Sequence, residues 1–121
     1  MLLYEELSGL IIGAAIEVHK ALGPGFLEAV YENALSHELR LRKVPFKNQD
    51  RLRIYYKSLE VGYYRPDLFV DGKIIVEIKG VATLMPAHEA QALNYLTATG
   101  LRLALLLNFG RTSLQFRRII H

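Results

Sequence analysis

The stretch YRPDLFVDGKIIVEIKG, from Tyr64 to Gly80, decides how the chain is read. Its apolar runs, with Asp71-Gly72 between them, predict two antiparallel strands joined by a tight hairpin. Within VEIKG, Glu77 and Lys79 interrupt an apolar strand, and the two-residue period of a strand sends both side chains to the same face. Charges on one face of a central strand are costly to bury unless something compensates them. A divalent cation held by Asp67 and Glu77 would do so, and carboxylate oxygens suit Mg2+ or Mn2+. The competing reading is a structural pair of acids with Lys79 as its salt-bridge partner.

The hairpin contains a test of this idea. A two-residue loop at Asp71-Gly72 would put Asp67 and Glu77 on opposite faces. A three-residue loop of Val70-Asp71-Gly72, with Gly72 left-handed and a bulge, sets Asp67 diagonal to Glu77 on one face, and is the expected arrangement.

Working outward, KNQDRLRIYY, EVGYYRPDLFV and KIIVEIK predict a meander of three antiparallel strands, with turns at Lys57-Ser58 and Asp71-Gly72. A helix follows from Pro86 to Thr99 and stops at Gly100. LRLALLLNF reads as a strand buried on both faces, and SLQFRRII as an edge strand. Upstream, Leu3, Leu7, Leu10, Ile11, Ala14, Ala15, Val18 and Leu22 mark an amphipathic helix over 3–22, ended by Gly23-Pro24-Gly25. A second runs from Leu27 to Lys43, with Leu27, Val30, Tyr31, Ala34, Leu35, Leu39 and Leu41 facing inward. The predicted order is α-α-β-β-β-α-β-β, a single domain over residues 1–121.

A chain of 121 residues that is 51% hydrophobic and 22% charged has the apolar content for one core, which excludes disorder and fibrous repeats. Without cysteine there can be no disulfide framework, thiolate zinc site or thiol nucleophile. The acidic start MLLYEELSGL is unlike a secretory leader, and Leu7 to Ile16 is too short to span a bilayer, so a cytoplasmic protein with no membrane partner is expected. The net charge of +3 is unevenly spread. Residues 1–39 hold six acids and one base, whereas residues 40–57 hold Arg40, Arg42, Lys43, Lys47, Arg51, Arg53 and Lys57 against Asp50 alone. That run reads either as a solvated face or as a compact patch tracking phosphates.

Glu28 lies in the first turn of the second helix, as a dipole-matching acid or a site residue, and Glu38 rivals it as an inward carboxylate. His88, Gln91 and Tyr95 share a face of the third helix. His19 and His37 have no second imidazole at ligand spacing and read as structural. With no Gly-rich phosphate loop, Ser-His-Asp set or dinucleotide fingerprint, metal-assisted chemistry is the supported catalytic option.

Gly25 to Tyr31 spells GxxExxY, and the chain resembles the GxxExxY protein family of the PD-(D/E)XK nuclease superfamily. VHKALGPG, YRPDLFV, IIVEIKG, HEAQALNYLTATG and LLLNFG carry the likeness along nearly the whole length. The resemblance implies an α/β fold, with a restriction-endonuclease-like αβββαβ core and a mixed sheet flanked by helices. An extra N-terminal helix and a C-terminal edge strand complete it. It also implies phosphodiester hydrolysis, on DNA more than RNA. Asp67 and Glu77, with the Ile78 carbonyl, would hold Mg2+ or Mn2+, and Glu28 would join directly or through water. Lys79 would orient or deprotonate the attacking water or stabilise the transition state, and Gln91, in a QxxxY pattern with Tyr95, would support the site. Lys47, Arg51, Arg53 and Arg65 would hold the nucleic-acid backbone. The rival expectations are a catalytically weak or inactive nucleic-acid-binding module and a regulatory protein-interaction domain. A homodimer is expected, since so small a domain offers little surface to grip a duplex.

Overall fold

The computed structural model describes residues 1–121, and its elements are α1 (Glu5–Leu22), α2 (Glu28–Leu41), β1 (Phe46–Asn48), β2 (Leu52–Tyr56), β3 (Leu59–Tyr64), β4 (Leu68–Val70), β5 (Ile74–Lys79), α3 (Pro86–Thr99), β6 (Leu103–Asn108) and β7 (Gln115–Ile120). Five strands form a mixed sheet in the order β1-β4-β5-β6-β7, parallel only between β5 and β6, where α3 makes the crossover. β7 closes one edge, as expected. β6 is buried along its entire length, because helices cover both faces of the sheet.

The alternation of β4, β5 and β6 separates two cores. Leu68, Val70, Ile74, Val76, Ile78, Leu103, Leu105 and Leu107 face α1 and α2. Ile75, Ala104 and Leu106 face α3, where Tyr64, Leu84, Ala92 and Leu96 join them. No helix is long and apolar enough to cross a membrane.

The three-strand meander is not what forms. KNQDRLRIYY divides into β1 and β2, EVGYYRPDLFV divides into β3 and β4, and β2–β3 make a separate two-stranded hairpin. Each division has a local cause. Gln49 adopts a left-handed φ of 52°, which turns the chain out of the sheet after β1. Pro66 has no N–H for a ladder and stops β3 short of β4. The αβββαβ core is therefore α2-β1-β4-β5-α3-β6, with the hairpin inserted between β1 and β4. Its turn lies at Lys57-Ser58 as predicted, both residues having positive φ.

The second helix also differs from its predicted stripe. Tyr31, Leu35 and Leu39 are buried, but Leu27 is 80% exposed and Val30 and Leu41 are exposed too. Leu27 is the extended residue that caps the helix rather than part of its first turn, and only the middle of α2 lies on the sheet.

Candidate active site

The β4–β5 hairpin sets the two acids in place. Val70 pairs with Ile74, so the loop is Asp71-Gly72-Lys73, with Asp71 and Gly72 left-handed at φ 51° and 63°. Three loop residues give the parity expected, one position later than predicted. Continuing the register from Leu68↔Val76 by one step puts Asp67 directly across from Glu77 rather than diagonal to it. The Asp67 carboxylate reaches over this gap and accepts the Ile78 amide at 2.7 Å.

Glu77 and Lys79 emerge on the α3 side of the sheet and line a cleft of about 320 Å3 with Arg65, His88, Gln91 and Tyr95. The hairpin supplies the remaining wall, through Tyr63 and Tyr64. The Tyr64 hydroxyl donates to Glu77 Oε1, and its ring lies flat on Tyr95, with centroids 3.8 Å apart and planes 8° from parallel. Under this aromatic cover Glu77 is largely removed from water. Burial, and secondarily the Asp67 charge, push its carboxyl up to about 7, against the opposing pull of the Tyr64 hydroxyl and Lys79. Burial and the neighbouring Glu77 charge likewise push the Tyr64 phenol up. Lys79 forms no salt bridge with Glu77; the ion pairs of the chain are Glu38–Arg42, Glu60–Arg53 and Asp71–Lys73. A self-neutralising acid–lysine pair is thus not the arrangement present.

Glu28 comes from the opposite face. Its Oε2 accepts the Gly80 amide at 2.9 Å, at the end of the strand that carries Glu77 and Lys79. The Gly-Phe-Leu-Glu-Ala-Val-Tyr motif explains how it gets there. Tyr31, fully buried three residues beyond Glu28, donates to the Gly23 carbonyl at 2.5 Å and accepts the Phe26 amide at 3.2 Å, fastening the bend that enters α2. The Tyr31 ring stacks on Phe109 at 4.5 Å, and Phe109 on His19 at 5.9 Å. His19 Nε2 donates to the Arg111 carbonyl at 2.8 Å, so His19 has the structural role expected of it. Glu38 is half-buried, as an inward carboxylate would be, but it does not rival Glu28, because it is taken up by Arg42 at 2.8 Å.

Two features had no sequence signal strong enough to be singled out. Glu32, one helical turn beyond Glu28, binds Asn48 and Gln49, and Gln49 donates in turn to Asp67 Oδ1 at 3.3 Å. Burial and the Asp67 charge raise the Glu32 carboxyl above its ordinary value. The four-residue step from Glu28 to Glu32 was the available clue. The second feature is Asn108, buried at the end of β6. It binds Val81 through both amide atoms, at 3.0 and 2.9 Å, and so holds the loop that follows Lys79.

The basic run of residues 40–57 is not one patch. Arg42 is paired with Glu38 and Arg40 lies 5.0 Å over Phe46. Lys47 lines a separate groove with Phe46, Phe69 and Asp71, outside the cleft, because Gln49 sends the chain away immediately after β1. Arg51 and Arg53 stand on or beside the inserted hairpin, and Arg65 is at the cleft.

No three of the His, Asp and Glu side chains are gathered closely enough to form a complete cation cage. The donor set nevertheless fits a hard cation of the magnesium type, which commonly takes one or two carboxylates and keeps several waters. Glu77 is a half-buried carboxyl with no ion-pair partner that faces a second acid, and a cation is what would compensate the two.

A model of the PD-(D/E)XK nuclease superfamily matches residues 5–119. The chain belongs to that superfamily. Among solved structures, this PD-(D/E)XK domain is similar to the crystal structure of an alkaline exonuclease (LHK-Exo) from Laribacter hongkongensis. The TM-score is 0.52 at 14% identity, covering 71% of this chain and 52% of the exonuclease. It therefore spans about half the length of that enzyme, and the likeness is one of fold. No curated protein matches its sequence. The superfamily's expected α/β architecture is the one observed.

Proposed function

We propose that this chain is a metal-dependent nuclease, of the GxxExxY group within its superfamily, hydrolysing phosphodiesters of DNA in preference to RNA. The observation that carries the reading is Glu77, a half-buried carboxyl facing Asp67 across β4–β5, in a cleft it shares with Lys79. PD-(D/E)XK nucleases generally use divalent metals. Asp67 and Glu77 would hold Mg2+ or Mn2+, with Glu28 contributing through water. When bound, the cation would activate a water and neutralise charge on the phosphate.

The side chains have their own parts. Lys79, with no ion-pair partner, offers its ammonium to the phosphate oxygens and stabilises the charge that builds there. Gln91 and Tyr95, one turn apart on α3, shape the wall opposite Lys79. Tyr64 orients the Glu77 carboxylate through its hydroxyl and keeps bulk water from it. Arg51, Arg53 and Arg65 offer guanidinium groups to the flanking backbone. The test is cleavage of supercoiled plasmid with Mg2+ or Mn2+, by the wild type and by Glu77→Ala and Lys79→Ala. The reading expects nicking or linearisation that both substitutions abolish, and cleavage that survives both defeats it.

The second reading, a nucleic-acid-binding module without turnover, is favoured by one observation. One oxygen of Asp67 and one of Glu28 are already engaged, by the Ile78 and Gly80 amides. Metal-independent binding, with no cleavage under any divalent ion, would select it.

A further inference from the structure

The outward face of the β2–β3 hairpin gathers several cations around an exposed aromatic ring. Arg53 pairs with Tyr63 across the hairpin. Arg51 and Arg65, each two residues from one of that pair, flank the same ring, with their guanidinium carbons 4.4 and 5.5 Å from its centroid. Tyr63 is 47% exposed, while its neighbour Tyr64 turns inward to Glu77. Arg53 is partly neutralised by Glu60 at 3.6 Å, but Arg51 and Arg65 have no acidic partner. Tyr63 and Arg65 line the same cleft as Glu77 and Lys79. Further out on this face Tyr55 follows Arg53 and is 55% exposed.

An exposed ring with two unpaired cations beside it, at the edge of a cleft, suits a polyanion whose monomers have flat faces. A duplex hides those faces in its stack and presents only phosphates. A single strand offers both, and stacking of a base on an aromatic ring or guanidinium plane is sequence-tolerant. We infer that Tyr63, with Arg51 and Arg65, is a stacking platform for a single-stranded segment of nucleic acid beside the active-site cleft. The chain would thus prefer frayed, tailed or single-stranded substrates over intact duplex. This inference rests on the nuclease reading for its substrate class.

The test uses the full chain in EDTA at low salt, so that binding is measured without cleavage. Fluorescence anisotropy with labelled oligothymidylate is compared with a labelled duplex of equal length. Tyr63→Ala is expected to weaken single-strand binding about ten-fold with duplex binding nearly unchanged. Tyr63→Phe, which keeps the ring, should restore wild-type affinity. Arg51→Ala should flatten the salt dependence on the single strand by about 0.7 in the logarithmic slope, whereas Tyr63→Ala leaves that slope alone. Equal losses on both ligands, or none, would overturn the platform while leaving the cleavage reading intact. Failure of the wild type to bind either ligand would overturn the platform, while the cleavage reading stands or falls on the plasmid assay with Mg2+ or Mn2+. A dimer that Tyr63→Ala dissociates, with oligonucleotide affinity unmoved, would assign the face to a second copy and overturn the inference.

Discussion

Replacing Glu77 by glutamine should stabilise the metal-free protein at alkaline pH, even as it destroys the site. The Glu77 carboxyl is displaced from an ordinary 4.5 to about 7, chiefly by burial. The native state therefore holds a proton that the unfolded chain has released over this interval, and stability must fall as pH rises through it. Below about pH 4.5 both states are protonated and nothing is lost; above pH 7 the whole penalty applies, about 3 kcal/mol. Of that, about 2.5 kcal/mol falls between pH 5 and pH 8. Glutamine cannot titrate. Exchanging acid for amide carries its own offset, but that offset is the same at both pH values and cancels when the pH dependences are subtracted.

Thermal melts in EDTA at pH 5 and pH 8, for wild type and Glu77→Gln, read the difference directly. For a domain of this size, about 2.5 kcal/mol corresponds to about 10 °C of extra pH sensitivity in the wild type. Urea titrations at 25 °C supply the same quantity as a free energy. Parallel pH dependences in the two proteins would refute the reasoning, since they would mean that Glu77 is solvated despite Tyr64 and Tyr95. Magnesium gives a second arm. At pH 8, a concentration a hundred times the dissociation constant should add about 2.7 kcal/mol to the wild type and little to Glu77→Gln.

Three further substitutions follow from the packing around the site. A Cβ on Gly110 would lie 2.3 Å from the Val81 carbonyl oxygen and 2.6 Å from its nitrogen, so Gly110→Ala should cost about 4 kcal/mol, read as insolubility or a collapsed melting temperature. Asn108→Ala strands the amide and carbonyl of Val81 and the Gly110 amide, and should cost about 3 kcal/mol by urea unfolding, with m unchanged. Tyr31→Phe leaves the Gly23 carbonyl and Phe26 amide unpaired, and should cost about 1–2 kcal/mol. Because that bend aims Glu28, plasmid cleavage should fall with the fold retained by circular dichroism; wild-type turnover would show that Glu28 does not depend on it.

Periodicity made much of this legible. The two-residue step put Glu77 and Lys79 on one face, and loop length added Asp67 to it, because both are consequences of strand geometry within a few residues. The limits of α3, the full burial of β6 and the edge position of β7 were local in the same sense. What escaped was decided at a distance. No propensity announces that Gln49 turns left-handed, and Pro66 sits inside a run otherwise rich in strand formers, so the sequence reads as two strands where four exist. With the hairpin unforeseen, the roles of Tyr63 and Tyr64 could not be read, and the run of bases appeared continuous where the fold distributes it. Glu32 was missed for a related reason. Its partners Asn48 and Gln49 reach it only because β1 lies at the sheet edge beside α2.

The inserted hairpin shows why the acid pair alone does not make the site. β4 and β5 by themselves would leave Glu77 on an open sheet face, well hydrated and with little affinity for a cation beyond that of any surface carboxylate. α3 supplies Tyr95, the hairpin supplies Tyr64, and their stacked rings close over the carboxyl and lower the local dielectric. In that setting the repulsion between Asp67 and Glu77 is amplified, and so is the attraction of any cation placed between them. The fold is less stable for holding these groups together, and a bound cation would relieve that cost. Lys79 pulls on the Glu77 carboxyl only through its field and forms no ion pair with it, which leaves the ammonium itself free to act on the phosphate.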